Sequence, residues 1–218
     1  MLLRAQQSVR VMKSLVLSGA LACTIGMAPS TAGAATFEVP PEISHEINVT
    51  ADSDPGWIPS ADQRQRAMNG VEVFLDAIDG GRYAEAYGLM SDGNKAGLTL
   101  TQFSHDEQEF KARAGPAKFW RVLKITWTKD PEQGPAPGVY AAVDLTGQFA
   151  NIDRDCGYVV MYQPPAGGDF SVARRENYYM DNATARSIEQ RRSKAEVVRA
   201  WGELSRFCPN YVPTPDAR

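Results

Sequence analysis

The residues best suited to acid–base chemistry are an aspartate and a tyrosine at a helix break and charged residues on predicted strands. Asp79 and Tyr83 flank the Gly80–Gly81 pair, and Asp144 lies within an alternating apolar stretch. The other charged residues among apolar strand neighbours are Arg121, Arg174 and Glu176. A carboxylate beside Tyr or Arg in an apolar pocket can act as a general base with a raised pKa. Asp79, Tyr83 and Asp144 are therefore candidate catalytic residues, although structural roles for such groups are more common.

The two histidines and a calcium-loop-like stretch do not form a metal-binding pattern. His45 and His105 are far apart in the sequence, whereas a zinc site needs three or four protein ligands. Asn151–Asp155 has oxygen-bearing side chains at alternate positions, but Cys156 stands where a calcium loop needs glycine. The sequence has no nucleophile elbow, Walker loop or dinucleotide-binding glycine pattern. We expect no metal and no cofactor, and we interpret Asn151–Asp155 as a hairpin turn.

The N-terminus has the pattern of a secretory signal peptide. Three basic residues precede the apolar run Leu15–Met27, and Ala32–Ala35 offers small residues for cleavage. Because the apolar run is too short for a good membrane span, we predict that residues 1–35 are removed and the chain is periplasmic or secreted. The translated chain could start at Met12 rather than Met1. A lipid anchor on Cys23 is a minor alternative, since the residues before it make a poor lipobox.

Charge and cysteine content describe the chain that would remain after cleavage. It would hold 20 basic and 26 acidic residues, a net charge of −6, which disfavours nucleic acid as a partner because such proteins carry a basic patch. Cys156 and Cys208 would be its only cysteines. Two cysteines in an exported chain are most simply explained by one disulfide, so we predict a Cys156–Cys208 bond.

Apolar residues at helical spacing predict three helices in the first half of the chain. Ser60 is a suitable N-cap for the first, with Gln63 as its capping-box partner. Gly80–Gly81 separates the first helix from the second, and Thr101 is the expected cap of the third. The acidic residues of the third helix, Glu107 among them, are expected to face water. The predicted helices are 61–79, 83–90 and 102–114.

An alternating pattern then predicts four strands joined by turns, which is typical of an antiparallel meander. In the first strand, Phe119, Leu123, Ile125 and Trp127 are expected on one face. A single final helix over residues 183–208 follows, with an apolar stripe that includes Trp201. The predicted strands are 119–128, 139–149, 156–163 and 170–180.

The second and third quarters of the chain resemble a bacterial exported family, the domain of unknown function 4019. The resemblance covers about residues 66–181 and rests on Phe74–Tyr87, the Arg113–Gly115 turn and Pro135–Tyr140 before an alternating strand. It implies a cystatin-like, nuclear-transport-factor-like cone, in which a curved sheet wraps around helices with a pocket between them. The chain departs from the family pattern at two places: Cys156-Gly-Tyr replaces an acidic Glu-Thr pair, and Phe170-Ser-Val replaces a Trp-containing segment.

Together these observations predict an α+β fold: three N-terminal helices packed in a curved four-stranded antiparallel sheet (cystatin-like cone), plus a C-terminal helix. The expected organisation is a signal peptide at 1–35, a linker or edge strand at 36–59, the cone domain at 60–182, the C-terminal helix at 183–208 and a tail at 209–218.

The functional expectation is a non-catalytic module of the cell envelope that binds an unknown small molecule or envelope protein. The alternative is a small cone enzyme acting on a hydrophobic metabolite, with Asp144 or Asp79 as the base. A third hypothesis has the last helix docking on another protein through a patch at Val198 and Trp201. The resemblance brings no established activity, and fold alone does not fix function.

Overall fold

The computed structural model describes residues 35–49, 54–208 and 211, in which one sheet has helices on both faces. Its strands are β1 (Thr36–Glu38), β2 (Ser44–Val49), β3 (Ala117–Lys129), β4 (Val139–Phe149), β5 (Ile152–Gln163) and β6 (Ser171–Asp181). The order across the sheet is β1-β3-β4-β5-β6, and β2 also pairs with β3. β3 to β6 pair antiparallel, which confirms the predicted meander.

The two short N-terminal strands extend the sheet beyond the four strands that the sequence predicts. β1 pairs in parallel with Phe119–Arg121 and β2 pairs in parallel with Lys124–Lys129, so both lie along the same edge of β3. The prediction of a four-stranded sheet is therefore wrong in number, because the linker contributes two strands through long-range pairing. Residues 1–34 of the predicted signal peptide, with Met12 and Cys23, lie outside the described residues.

Six helices are present among the described residues. They are α1 (Ala61–Asp79), α2 (Tyr83–Gly88), α3 (Asp92–Lys95), α4 (Leu100–Ala114), α5 (Asn182–Arg191) and α6 (Lys194–Ser205). The Ser60–Gln63 capping box forms as predicted. The cap of α4 is Thr99 rather than Thr101, because Gln102 completes a second capping box with it. Four helices therefore precede the meander instead of three.

The predicted single C-terminal helix is two helices. α5 ends at Arg191, and the Ser193 side chain accepts a hydrogen bond from the backbone N–H of Glu196 at 3.3 Å. This N-cap starts α6 in a new direction, because the capping residue has an extended backbone.

The main apolar core lies between α1, α2, α4 and one face of the sheet, called here the inner face. Phe74 and Leu75 of α1 are buried against strand residues that include Ile125 and Trp127. A β-bulge between Val122 and Lys124 shifts the alternation of β3. Trp120 and Val122 consequently join the core in place of the predicted Phe119 and Leu123.

A smaller apolar cluster joins α5 and α6 to the opposite face of the sheet, the outer face. It contains Cys156, Met180, Val197, Trp201 and Cys208. Cys156 and Cys208 are joined by a disulfide, as the cysteine count predicts. Because side chains alternate along β5, Cys156 points away from the main core that holds Val159 and Met161. The disulfide thus ties the segment that follows α6 to the outer face.

Candidate functional site

Two regions bring polar side chains together: a cluster on the inner face and an open cleft on the outer face. The inner-face group, called here the inner polar cluster, comprises Asp79, Tyr83, Glu107, Asp155 and Arg175, of which Glu107 and Asp155 are buried and the other three are half-buried. α1, the start of α2, α4, β5 and β6 each contribute one of these residues. The structure thus places Asp79 and Tyr83 in one cluster, whereas Asp144 lies on the other side of the sheet.

Asp79 is held at the end of α1 by the indole of a strand residue. Trp120 Nε1 donates a hydrogen bond to Asp79 Oδ2 at 2.7 Å. The carbonyl oxygen of Asp79 accepts a hydrogen bond from Lys111 Nζ at 2.6 Å. Burial raises the pKa of the Asp79 carboxyl, while the Trp120 hydrogen bond and the charge of Arg175 oppose that rise. Asp79 therefore links α1, α4 and β3.

Glu107 and Arg175 form an ion pair in the same cluster. The Glu107 side chain is only 10% exposed, so the expectation that it faces water is wrong. Its position is explained by Arg175, which points from β6 to the inner face and supplies the countercharge. The second carboxylate oxygen, Oε2, is buried and has no hydrogen-bond partner among the described residues. Burial is the main cause that raises the pKa of the nearby Tyr83, and the negative charge of Glu107 adds to it.

Asp155 is the most deeply buried acid of the inner polar cluster. Its Oδ1 accepts hydrogen bonds from the Gly147 amide at 2.6 Å and from Thr146 Oγ1 at 3.1 Å. Its Oδ2 is buried without a hydrogen-bond partner in the described part of the chain. Burial raises the pKa of Asp155 to about 7, although the hydrogen bonds and Arg175 act in the opposite direction. This carboxyl can therefore exchange a proton near neutral pH.

Aromatic rings fill the space beside the inner polar cluster. Phe149 lies edge-on to Trp120 and to Phe110, with ring centroids 5.1 and 5.3 Å apart. Tyr179 packs edge-on against Phe110 at 5.1 Å. These aromatic pairs pack the apolar core next to the inner polar cluster.

The outer face carries an open cleft of about 540 Å³. Charged, aromatic and small side chains line it: Glu46, Lys124, Asp144, Arg206, Tyr158, Phe207, Thr126, Ala142 and Val160. Lys124 forms an ion pair with Glu46, which joins β2 to β3 along one side of the cleft. Such a mixture of polar groups and apolar surface in a concavity is typical of a ligand-binding site.

Aromatic and cationic side chains stack beside this cleft. Phe207 stacks on Tyr178 with ring centroids 5.3 Å apart, and the Arg174 guanidinium lies 5.7 Å from the centroid of Tyr158. Burial raises the pKa of the Tyr158 hydroxyl. Asp144 is buried in the floor of the cleft, directly opposite Tyr158 in the strand register. The cleft therefore combines a carboxylate, a phenol and stacked rings.

Comparison with protein families identifies the central part of the chain. Residues 71–173 match the model of a family described as protein of unknown function (DUF4019). The match covers just under half of the chain and shows what these residues are similar to. No curated protein and no solved structure matches the chain.

The DUF4019 match includes some of the functional candidates and omits others. Asp79, Glu107, Asp144 and Asp155 lie within the matched residues, whereas Arg175 and both C-terminal helices lie beyond them. The disulfide therefore connects the DUF4019 region to the C-terminal extension.

The remaining sequence candidates lie apart from the inner polar cluster. Arg121 pairs with Glu38 at the edge of the sheet, with 2.9 Å between Arg121 Nη2 and Glu38 Oε2. Arg174 pairs with Glu176 on the outer face, with 2.9 Å between Arg174 Nη2 and Glu176 Oε1. The described residues contain no cluster of three or more His, Cys, Asp or Glu side chains that could hold a metal ion. In the same part of the chain no helix is long and apolar enough to cross a bilayer.

Sequence reasoning missed Glu107, Asp155 and Arg175. The interpretation of Asn151–Asp155 as a turn put Asp155 outside the sheet, although β5 begins at Ile152. Alternation backwards from the buried Val159 would have placed Asp155 on the inner face, which was the available signal. Glu107 had no such signal, because its burial depends on a partner 68 residues away.

Proposed function

We propose that this chain is an exported, non-catalytic binding module of the bacterial envelope. Its outer-face cleft would hold a small molecule or a segment of an envelope protein. The observation that carries the proposal is the cleft of about 540 Å³ with its mixed polar, aromatic and apolar lining. Phe207 and Arg206 form one wall, and Cys208 directly after them is bonded to β5. A wall held in this way suits a binding site that is formed before the ligand arrives.

Export is part of the same proposal and has two supports. The N-terminus has the composition of a cleavable leader, with removal expected after Ala34 or Ala35. The Cys156–Cys208 disulfide is compatible with an oxidising compartment, where such bonds persist. We also infer that the helices and sheet of the DUF4019 region form a cystatin-like cone, since α1 and α4 pack on the inner face of the antiparallel strands.

An enzyme with an aspartate base is the second candidate. Asp79 suits that role poorly, because Trp120 already donates to its carboxylate. Asp144 suits it better, since it is buried in the floor of the outer cleft opposite Tyr158. The hypothesis that the last helix docks on another protein requires Val198 and Trp201 to form an exposed patch. Trp201 is buried, so only Val198 of the two is exposed. The binding module therefore remains the first choice.

Filling the cleft should abolish binding there. Ala142 is a small, half-buried residue in its floor, so Ala142→Trp would occupy much of the volume. We expect p-cresol or methyl β-glucoside, as aromatic and saccharide probes, to shift the amide resonances of Thr126, Ala142 and Tyr158. The variant should bind the responding probe at least about tenfold more weakly, since the apolar contact area is lost. Chemical-shift titration by NMR measures both affinities.

The matched control is Ala112→Trp, which adds the same side chain on an exposed position of α4. Its titration should superimpose on that of the unmodified chain. If neither probe shifts the cleft amides, or if the Ala142→Trp chain binds as well as the control, the proposal for this cleft is wrong.

A further inference from the structure

A second concavity lies between the two C-terminal helices, away from the outer-face cleft. Its volume is about 470 Å³, and it is lined by Ile188, Arg191, Arg192, Glu196 and Ala200. The DUF4019 match ends before both helices, so this groove belongs to the C-terminal extension. None of its residues takes part in the inner polar cluster or in the binding function proposed above.

The groove has an excess of positive charge. Arg191 and Arg192 form no ion pair with any described residue. Arg191 Nε donates to the Ser187 carbonyl at 3.2 Å, which leaves the terminal nitrogens of its guanidinium available. Glu196, the single acid in the wall, is paired with Arg199 at 2.7 Å. Two guanidinium groups therefore line a groove whose carboxylate already has a partner in Arg199.

The groove also has an apolar part. Ile188 and Ala200 are half-buried and pack against the smaller apolar cluster that holds Val197 and Trp201. An apolar group lying on them would be removed from water, which is favourable in proportion to the area covered. The groove thus combines two arginines, which have no ion-pair partner within the described part of the chain, with an adjoining apolar surface.

We propose that this α5–α6 groove binds a small amphipathic anion, namely an oxyanion group attached to a short apolar body. The planar guanidinium fork of arginine donates two parallel hydrogen bonds to phosphate or carboxylate oxygens. A metal cation or a basic peptide would be repelled by the same pair. The overall negative charge of the protein does not prevent binding, because at physiological ionic strength charges farther than about 8 Å are screened.

Titration of the full chain with three probes tests the ligand class. Hexyl phosphate carries both features, inorganic phosphate has the anion alone, and 1-hexanol has the apolar body alone. We expect hexyl phosphate to give saturable chemical-shift changes in the amides of residues 188–200, with an affinity at least about tenfold above those of the other two. Equal affinity for inorganic phosphate would overturn the amphipathic class. No saturable change with any probe would overturn the site.

Charge variants show whether the two arginines are responsible. Arg191→Gln with Arg192→Gln should weaken hexyl phosphate binding at least about tenfold, since charge-assisted hydrogen bonds are lost. Arg64→Gln with Lys118→Gln removes the same charge from exposed positions elsewhere and should bind normally. Arg191→Lys with Arg192→Lys should bind with intermediate affinity, because it keeps the charge but loses the fork. Equal binding by the glutamine variant and this control would refute the assignment.

Discussion

Replacing Cys156 and Cys208 together with alanine should lower the free energy of unfolding by about 4 kcal/mol, as the loss of loop-closure entropy predicts. The disulfide closes a loop with a sequence separation of 52 residues, and both cysteines are buried in the smaller apolar cluster. Without the bond, the unfolded chain gains conformational freedom, while the smaller apolar cluster still packs α6 against the outer face. Urea unfolding at constant pH, followed by circular dichroism, measures the difference.

The reduced chain provides the control for this result. In dithiothreitol the unmodified chain should unfold at nearly the urea concentration of the double variant, and the variant should not respond to the reductant. The mass of the non-reduced chain should also be two hydrogens below that of its reduced form. Coincident unfolding curves with and without the bond would show that α5 and α6 are held by packing alone.

The parts of the fold that follow from local chemistry could be predicted from the sequence. The Ser60–Gln63 capping box and the alternation of β4 are such cases, because each depends on residues close together in the chain. The helix break before Ser193 could also have been predicted, since Ser193 and Glu196 have the spacing of a capping box. Because the apolar residues keep helical spacing through both helices, the pattern predicted one continuous helix instead of two.

The pairing of β1 and β2 with β3 could not be predicted in this way. His45 pairs with Ile125 across 80 residues, and the intervening sequence contains no turn signal for such a contact. The bulge at Val122–Lys124 likewise has no local signature, yet it decides that Trp120 rather than Phe119 enters the core. Since Trp120 holds Asp79, the geometry of that predicted site residue depends on an irregularity that alternation alone does not reveal.

The inner polar cluster shows why candidate residues were found only in part. Asp79 and Tyr83 lie next to a glycine pair, which indicates a helix break in the sequence. Arg175, in contrast, is one of several charged residues on β6 and has no such signal beside it. The pairing of Arg175 with Glu107 depends on the position of α4 against the sheet. Local sequence spacing around the glycine pair therefore located two of the five residues of the cluster, and tertiary packing brings the other three to them.

The proton held by Asp155 should make the stability of the fold depend on pH. The pKa of Asp155 is raised from 3.8 to about 7 in the folded chain by burial. Between these values the folded chain binds a proton that the unfolded chain has released, so the free energy of unfolding falls as the pH rises. This stabilisation is fully present below the unfolded pKa and is lost by the time the pH exceeds about 7. The difference between an unfolded pKa of 3.8 and a folded pKa of about 7 corresponds in full to about 4 kcal/mol of stability.

Asp155→Asn should remove this component, because an amide does not ionise. Its oxygen can still accept the hydrogen bonds of Gly147 and Thr146. Relative to the unmodified chain, the variant should gain about 3 kcal/mol of stability between pH 4.5 and pH 8, in addition to any pH-independent cost of the substitution. Urea unfolding of both chains across this range measures the change in their difference. Groups that titrate in the same way in both chains contribute equally to both stabilities, so they drop out of the difference between the two chains at each pH.

Asp153→Asn is the matched control for this pH effect. Asp153 lies two residues earlier on β5 and pairs with Arg154 at 2.6 Å, with about a fifth of its side chain exposed. Its substitution should change the stability difference by less than about 1 kcal/mol over the same range, as is usual for exposed ion pairs. A constant difference between the Asp155→Asn chain and the unmodified chain would mean that Asp155 is ionised throughout. The folded protein would then carry the negative charge on Oδ2, and a group that balances it would have to lie next to that oxygen.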